Sequence, residues 1–170
     1  MNVKHLLTAV LLLVTTAASA QTTEKKKSDI SKVTVQPFHK LVINASIDVL
    51  LIEDNEPGIL YIEGDKQFFD HISVKQENGV LTIESSKNRS YKNKIYIGLP
   101  VKNLAAVDIY AKSFVTGMNT LQSKDLVITM YDDCTVNLKS TGTIDIRSSE
   151  DVSLSFLKKL PKEYRNSLRK

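Results

Sequence analysis

Residues 106–117 read AVDIYAKSFVTG, residues 127–138 read VITMYDDCTVNL, and residues 143–156 read TIDIRSSEDVSLSF. Each segment has a short strand pattern, a polar turn and a second short strand pattern. The segments open on Val107, Ile128 and Ile144, and Val115, Val136 and Val152 follow at a constant interval. The offsets of 21 and 16 residues are close to one coil of a β-solenoid, in which each repeat buries its apolar side chains by stacking on its neighbours. We therefore predict stacked coils here.

Seven further strand patterns fill the chain before these segments: KVTV (32–35), FHKLVI (38–43), SIDVLLIE (46–53), ILYIEG (59–64), HISVKQ (71–76), VLTIES (80–85) and KIYIGL (94–99). Asn78-Gly79, between the patterns at 71–76 and 80–85, is a strong signal for a two-residue β-hairpin. No stretch from 32 to 155 keeps a helical period, so the predicted body is all-β. A β-sandwich also fits the first half, but the repeats of the second half favour a β-solenoid.

The two ends of the chain differ from this body. Residues 1–20 are typical of a cleaved secretory signal peptide, because a short apolar run (6–14) precedes the small-residue site Ala18-Ser19-Ala20. Residues 21–31 are polar and predict a flexible leader. The predicted solenoid domain covers 32–157. Residues 158–170 fit either a short basic C-terminal helical cap, beginning near Pro161, or a disordered tail.

Charge is divided unevenly along the chain. Residues 28–157 carry 13 Lys and Arg against 17 Asp and Glu, whereas 21–27 has a net charge of +2 and 158–170 a net charge of +5. The body therefore lacks the basic, aromatic-interleaved surface of a nucleic-acid-binding protein. Cys134 is the single cysteine, so an internal disulfide is excluded. Two roles are open for Cys134. It is either a small structural residue, or a residue that forms an intermolecular disulfide or acts as a nucleophile.

Acidic residues cluster in predicted turns, as Asp132-Asp133, Glu150-Asp151 and Glu53-Asp54 with Asp48 nearby. Paired carboxylates are suited to glycoside hydrolysis or to calcium binding. Asp and Glu are also ordinary turn residues, and the sequence lacks a calcium-binding nonapeptide repeat. Solvated turns are the simpler interpretation, and we predict no metal and no cofactor. The histidines His39 and His71 each stand alone.

Three tyrosines are the candidate ligand-binding residues. If the isoleucines beside them face the core, the two-residue period of a strand turns Tyr96, Tyr110 and Tyr131 outward. On neighbouring strands their rings would form a platform on which sugars or peptide side chains stack. A structural cross-strand ladder of aromatic rings is the alternative.

Three blocks of sequence, taken in order, resemble a known family. They are FHKLVINASIDVLLIE (38–53), NGVLTIES (78–85) and KIYIGLPVKNLAAVDIYAKSFVTG (94–117). Together they are similar to the putative auto-transporter adhesin, head GIN domain family, which is common in Bacteroidetes, and the resemblance covers about 36–157. It implies an exported, right-handed β-helix-like domain with no established activity and no catalytic residues to transfer.

The sequence thus predicts a non-enzymatic module for surface binding, adhesion or envelope scaffolding, located in the periplasm or at the cell exterior. The expected partner is a glycan, a peptide or an envelope protein, with no nucleic acid and no transmembrane segment, and the oligomeric state is undetermined. A carbohydrate-active enzyme that uses turn carboxylates is one alternative. A structural subunit that assembles through its solenoid edges is another.

We expect export to remove residues 1–20, since the apolar run and the Ala18-Ser19-Ala20 site have the dimensions that signal peptidase recognises. Mass spectrometry of protein recovered from the periplasm or the medium should give a chain that starts at Gln21. Recovery of exported protein that still carries Met1 would contradict this expectation.

Overall fold

The computed structural model describes residues 28–55, 58–86, 90–91 and 95–149. These residues form twelve β-strands and one short 3₁₀ helix, Lys66–His71. The strands are β1 (Asp29–Thr34), β2 (Lys40–Asn44), β3 (Asp48–Glu53), β4 (Ile59–Gly64), β5 (Ile72–Glu77), β6 (Val80–Ser85), β7 (Ile95–Val101), β8 (Ala106–Ile109), β9 (Phe114–Gly117), β10 (Asp125–Met130), β11 (Thr135–Asn137) and β12 (Thr143–Ser148). All seven early strand patterns thus correspond to strands, and β1 begins at Asp29, inside the predicted leader.

The strands form two sheets of six. Sheet A has the order β1-β4-β7-β3-β9-β11, and sheet B has the order β12-β10-β8-β2-β6-β5. Both sheets mix parallel and antiparallel pairs, and neither is closed. Buried side chains from the two sheets form a single hydrophobic core, because strand alternation turns one apolar face of each sheet towards the other.

Four units of the chain run from sheet B to sheet A and stack in parallel. Each has one strand in sheet B followed by one strand in sheet A. In their spatial order the units are β6–β7, β2–β3, β8–β9 and β10–β11. The predicted equivalence of the segments 106–117 and 127–138 is confirmed, because Val107 pairs with Ile128 and Val115 with Val136. The unit 40–53 belongs to the same stack, although no repeat was predicted there.

The predicted register of the third segment is wrong by two residues. Ile128 pairs with Ile146, and Ile144 pairs with Leu126. A slip of two residues keeps the same side chains facing inward, so the apolar pattern does not distinguish the two registers. Val136 packs against the core but is only half-buried, because β11 is the edge strand of sheet A among the described residues. Its predicted counterpart Val152 lies outside those residues.

The remaining strands join the stack in antiparallel fashion. The hairpin predicted at Asn78-Gly79 is present between β5 and β6, and both turn residues have positive φ angles of 51° and 75°, which is the requirement of a tight type I′ turn. β4 pairs antiparallel with β7, and β1 with β4. These strands lie beyond the unit β6–β7. The units themselves do not stack in sequence order, because β6–β7 lies on the other side of β2–β3 from β8–β9.

The corners between the sheets are held by polar contacts. Ser113 is fully buried, and its hydroxyl lies 2.9 Å from the carbonyl oxygens of Ala45 and Ala111 in two stacked corners. In the next corner the backbone N–H of Thr135 donates to the carbonyl of Ser113 at 2.9 Å. A buried backbone oxygen without a partner is costly, so these bonds fix how the units stack.

Two structural expectations remain open. The predicted C-terminal cap in 158–170 and the signal peptide in 1–20 lie outside the described residues. Within the described part of the chain, no helix is long and apolar enough to cross a membrane. The all-β prediction is confirmed in that the described residues are mostly strands, with one short 3₁₀ turn as the exception.

Replacement of Gly142 by Ala should destabilise the fold by about 1–3 kcal/mol, because the new Cβ would overlap the backbone carbonyl of Lys124 and the backbone would have to shift. Urea denaturation should show a lower midpoint. Gly58→Ala is the matched control, since a Cβ at Gly58 meets nothing within 4 Å. We expect it to change stability by no more than about 1 kcal/mol. Equal effects of the two substitutions would contradict the packing at Gly142.

Candidate binding surface

The outward faces of the two sheets differ in chemistry. On sheet B, three ion pairs cover the outer surface: Lys40 with Asp108 at 2.6 Å, Lys75 with Glu84 at 2.6 Å, and Arg147 with Asp145 at 2.8 Å. The hydrogen bond to Asp108 raises the pKa of the Lys40 amine above its usual value. This face therefore has the polar surface expected of a sheet that meets water.

The outer face of sheet A carries most of the exposed large apolar side chains of the described residues. Eight large hydrophobic side chains are exposed among the described residues, and six of them lie on this face. They are Ile30, Ile59, Tyr61, Tyr96, Phe114 and Met118. The half-buried side chains of Leu50 and Ile52 lie on β3 between them. We call these eight residues the apolar face. A contiguous apolar surface of this kind on a sheet is typical of an interaction site.

The register of sheet A brings the members of the apolar face together in rows. At one end, Ile30, Glu63, Tyr96, Asp48 and Phe114 occupy paired positions on five adjacent strands. Asp48 is only 7% exposed between the rings on either side of it. The carboxylate of Glu63 accepts a hydrogen bond of 2.6 Å from the hydroxyl of Ser28. The row therefore presents the rings of Tyr96 and Phe114 together with the exposed carboxylate of Glu63.

The middle of the face is built around Gly98. A Cβ at Gly98 would lie 3.7 Å from the Cβ of Tyr61 and 4.0 Å from the Cδ1 of Ile52, so the side chains of β3 and β4 close over the glycine. The amine of Lys32 on the edge strand lies 5.6 Å from the centre of the Tyr61 ring. This is within the range of a cation–π contact, which places a cation at the border of the face.

The far end of the face is fixed by hydrogen bonds to Glu53. The side chain of Asn119 accepts from the backbone N–H of Glu53 at 2.7 Å and donates to its carbonyl at 3.1 Å. The carboxylate of Glu53 accepts from the N–H of Gln122 at 2.9 Å. Because Met118 directly precedes Asn119, these bonds hold the 63%-exposed Met118 side chain at the rim of the face.

The three predicted tyrosines are all exposed, but the structure brings only two of them together. Tyr110 and Tyr131 directly follow β8 and β10 and stack with their ring centres 4.3 Å apart and their planes 3° from parallel. Hydrogen bonding with Tyr131 raises the pKa of Tyr110, and partial burial adds to this. Tyr96 lies on β7 in the other sheet. The chain crosses from sheet A to sheet B after β7. Tyr96 and Tyr110 therefore lie on the outer faces of different sheets, although they are close in sequence.

The described acidic turns and the two histidines each have their own surroundings. Asp132 accepts from the backbone N–H of Asp133 at 2.7 Å, and Asp133 lies 3.6 Å from the amine of Lys112. Glu150-Asp151 lies outside the described residues. The ring of His39 covers Gly79 in the hairpin. Within the described ranges, no three His, Cys, Asp or Glu side chains are grouped to hold a metal ion.

Cys134 is half-buried and packs against the hydrophobic core. This position agrees with the interpretation of Cys134 as a small structural residue in a corner.

The apolar face is the feature that the sequence interpretation missed. β3 reads DVLLIE and β7 reads IYIGLPV, and in both strands apolar residues stand at consecutive positions. A run of this kind is typical of a strand that is apolar on both faces. The signal was therefore present, but of these residues only Tyr96 was predicted to point outward.

Comparisons with known proteins identify the fold. The structure superposes on an adhesin described as putative from Parabacteroides merdae (TM-score 0.62, 19% identity) and on another from Parabacteroides distasonis (TM-score 0.64, 20% identity). It also superposes on a putative lipid binding protein from Parabacteroides distasonis (TM-score 0.57, 16% identity). The matches cover 75%, 74% and 74% of this chain, but only 55%, 55% and 61% of those proteins.

No curated protein matches the sequence. The sequence model of one family, described as "Putative auto-transporter adhesin, head GIN domain", matches residues 37–155. This match spans more than half of the chain and includes the three blocks on which the resemblance was based. The chain therefore belongs to the putative auto-transporter adhesin, head GIN domain family.

Proposed function

We propose that the domain is an exported, non-enzymatic binding module that holds an apolar or amphiphilic component of the cell envelope on the apolar face. The carrying observation is that six of the eight large hydrophobic side chains exposed among the described residues lie on this one face. Soluble proteins rarely leave a contiguous apolar surface uncovered unless a partner binds there.

The family and the proteins of similar fold support a role in surface binding. The family description names an adhesin, and one protein of similar fold is described as a lipid binding protein. Both descriptions concern contact with other molecules, and neither names a chemical conversion. For this chain they favour a location in the periplasm or at the cell exterior, where a binding partner belongs to the envelope.

In this proposal the parallel units act as coils of a β-solenoid scaffold. Successive coils place equivalent side chains about 4.8 Å apart, which is the spacing of neighbouring strands. The apolar face is thereby a broad and rigid surface rather than a deep pocket. Such a surface suits an extended partner, such as a membrane or another envelope protein, better than a small solute.

A second candidate is a glycan or peptide site at Tyr110 and Tyr131. The rings are 45% and 46% exposed on a polar face, as a sugar platform requires. However, each ring already uses one flat side to stack on the other. We therefore favour the structural ladder as the function of this pair.

An enzyme that uses turn carboxylates has less support. Glycoside hydrolysis needs two carboxylates about 5–10 Å apart that face one groove. Asp132 and Glu53 are instead bonded to backbone N–H groups.

Double replacement of Ile59 and Met118 by Ser should abolish most binding of an uncharged apolar probe. These side chains are among the most exposed of the apolar face, so their loss should change stability by no more than about 0.5 kcal/mol each. Nile red emission should increase and shift to the blue with the wild-type protein, and the double variant should lose most of this response.

The matched control is Val42→Ser with Val127→Ser on the outer face of sheet B, where two apolar side chains are removed from among polar neighbours. We expect this control to retain the Nile red response. An equal loss in both double variants, or no response in the wild type, would refute the proposed surface.

Tyr110→Ser should lower the free energy of unfolding by about 1 kcal/mol, because it removes the stacked ring pair. Tyr110→Phe keeps the stack and should cost less. Neither variant should alter the Nile red response. If wild type binds on a glycan array and Tyr110→Ser loses that binding with an unchanged urea midpoint, the tyrosine pair is a binding site and the ladder interpretation is wrong.

A further inference from the structure

The strand β1 has one side of its backbone open among the described residues. The backbone N–H of Val35 donates to the carbonyl of Gly58 at 3.0 Å, and this pair continues the β1–β4 register. Because the bonding direction alternates along an antiparallel strand, the N–H and C=O groups of Ile30, Lys32 and Thr34 point away from β4. A row of such groups is a template for a further strand.

The edge strand of sheet B at the same end, β5, is covered instead. The side chain of Gln76 accepts from the backbone N–H of Gln36 at 2.8 Å and donates to its carbonyl at 2.7 Å, which ties the chain that follows β1 to β5. At the other end of β5, the N–H of Ile72 donates to the carbonyl of Phe69 in the 3₁₀ helix. β1 has no such hydrogen-bonded cover in the described part of the chain.

β1 also projects past sheet B. The unit β6–β7 links the two sheets, so β5 and β4 occupy matching positions beyond it, and β1 lies one strand further out. The inner side chain of Val33 is accordingly only half-buried, whereas those of Val49 and Leu51 on the central strand β3 are almost fully buried. A strand added beside β1 therefore meets no strand of sheet B among the described residues.

The charges beside β1 select a second copy of the same strand as the partner. Antiparallel pairing centred on Lys32 would set the two lysines side by side, and like charges in this position are destabilising. Pairing centred on Ser31 instead sets Lys32 of each copy opposite Ile30 of the other. Glu63 is the neighbour of Ile30 on its other side. Lys32 of the second copy then lies two strands, or roughly 10 Å, from Glu63, which extended Lys and Glu side chains can span.

The other charges at this edge are compatible with the same register. The carboxylate of Glu63 is exposed, and its bond from Ser28 leaves it able to accept from a lysine as well. Asp29 is exposed on the opposite side of β1 from Lys32. In this register the two Asp29 residues are four positions, or roughly 13 Å, apart along the strands, so they do not face each other. The Lys32 amine would leave the ring of Tyr61, which it contacts in the single chain.

We propose that two copies of this chain pair through β1, antiparallel and centred on Ser31, with backbone hydrogen bonds between Ile30 and Lys32 and reciprocal ion pairs between Lys32 and Glu63. The two six-stranded A sheets would then form one continuous sheet. A two-fold axis perpendicular to that sheet places both apolar faces on the same side of it. The inference goes beyond the proposed function, because it concerns the edge of sheet A and not the partner of the apolar face.

The test uses the protein recovered after export. Sedimentation equilibrium should show a monomer and a dimer, and the backbone amides of Ile30 and Lys32 should become protected from hydrogen exchange as the concentration increases. Lys32→Glu should raise the dissociation constant of the dimer about tenfold, because both exposed ion pairs become repulsions of similar size. Lys32→Glu together with Glu63→Lys should restore the wild-type constant, since the charges of each pair are exchanged.

The matched control is Lys75→Glu, which makes the same change of charge on the edge strand β5. We expect it to leave the dissociation constant unchanged. Ile30→Pro is a second variant that does not depend on charge. It removes an N–H that points away from β4, a position where an edge strand tolerates proline, so it should keep the fold by circular dichroism and abolish the dimer.

The outcomes separate this inference from the proposed function. A monomer at every concentration, or a dimer in which the amides of Ile30 and Lys32 exchange freely, would overturn the pairing through β1. Equal losses with Lys32→Glu and Lys75→Glu, or no recovery in the charge-exchanged double variant, would overturn the proposed register. A monomer with a normal Nile red response would retain the proposed function, whereas a β1-paired dimer without that response would reject the proposed function and retain this inference.

Discussion

Parallel pairing between the units that cross from sheet B to sheet A is the constraint on which the rest of the structure depends. Leu41, Val107 and Ile128 stand side by side in sheet B, and Val49, Val115 and Val136 do so in sheet A. A single unit leaves its inner side chains exposed on the two sides where other units would stack. Each unit therefore depends on its stacked neighbours for stability.

Buried polar groups in the corners make this stacking specific. Ser113 links its own corner to that of the preceding unit through the carbonyl of Ala45, and Ser46 donates to the carbonyl of Lys112 at 2.5 Å. At the opposite corner, Ser140 donates to the carbonyl of Ser123 at 2.8 Å, and Leu121 bridges to Ser140. A slipped register would leave the carbonyl of Ala45, whose bond to Ser113 is buried, unsatisfied at a cost of about 1–3 kcal/mol.

Sequence periodicity predicted what is local and failed where the fold depends on long-range pairing. The offset between 106–117 and 127–138 was predicted correctly because both strands of each unit align without an insertion. The unit 40–53 was missed because more than fifty residues, which form β4 to β7, separate it from its neighbour β8. Likewise, Tyr96 was predicted to lie beside Tyr110. Strand alternation shows to which side a residue points, but not which sheet contains it.

The same limit explains why the apolar face was not foreseen. Leu50, Leu51 and Ile52 are consecutive, and a strand of this composition can be buried on both sides in a larger assembly. In this structure, Leu51 is fully buried in the core, whereas its two neighbours point to the outside. Burial of apolar surface contributes a favourable free energy of roughly 25 cal/mol per Å². A partner that covers the exposed apolar face would therefore gain this contribution to its binding free energy.

The position of β1 links the fold to this surface. β1 is the edge strand of sheet A among the described residues, and it alternates Ile30, Lys32 and Thr34 on the outer side. β12 is an edge strand of sheet B in the same part of the chain, and its outer side carries the ion pair of Asp145 and Arg147. The two edge strands therefore differ in chemistry. A partner that covers the apolar face from the side of β1 meets Lys32 beside the ring of Tyr61.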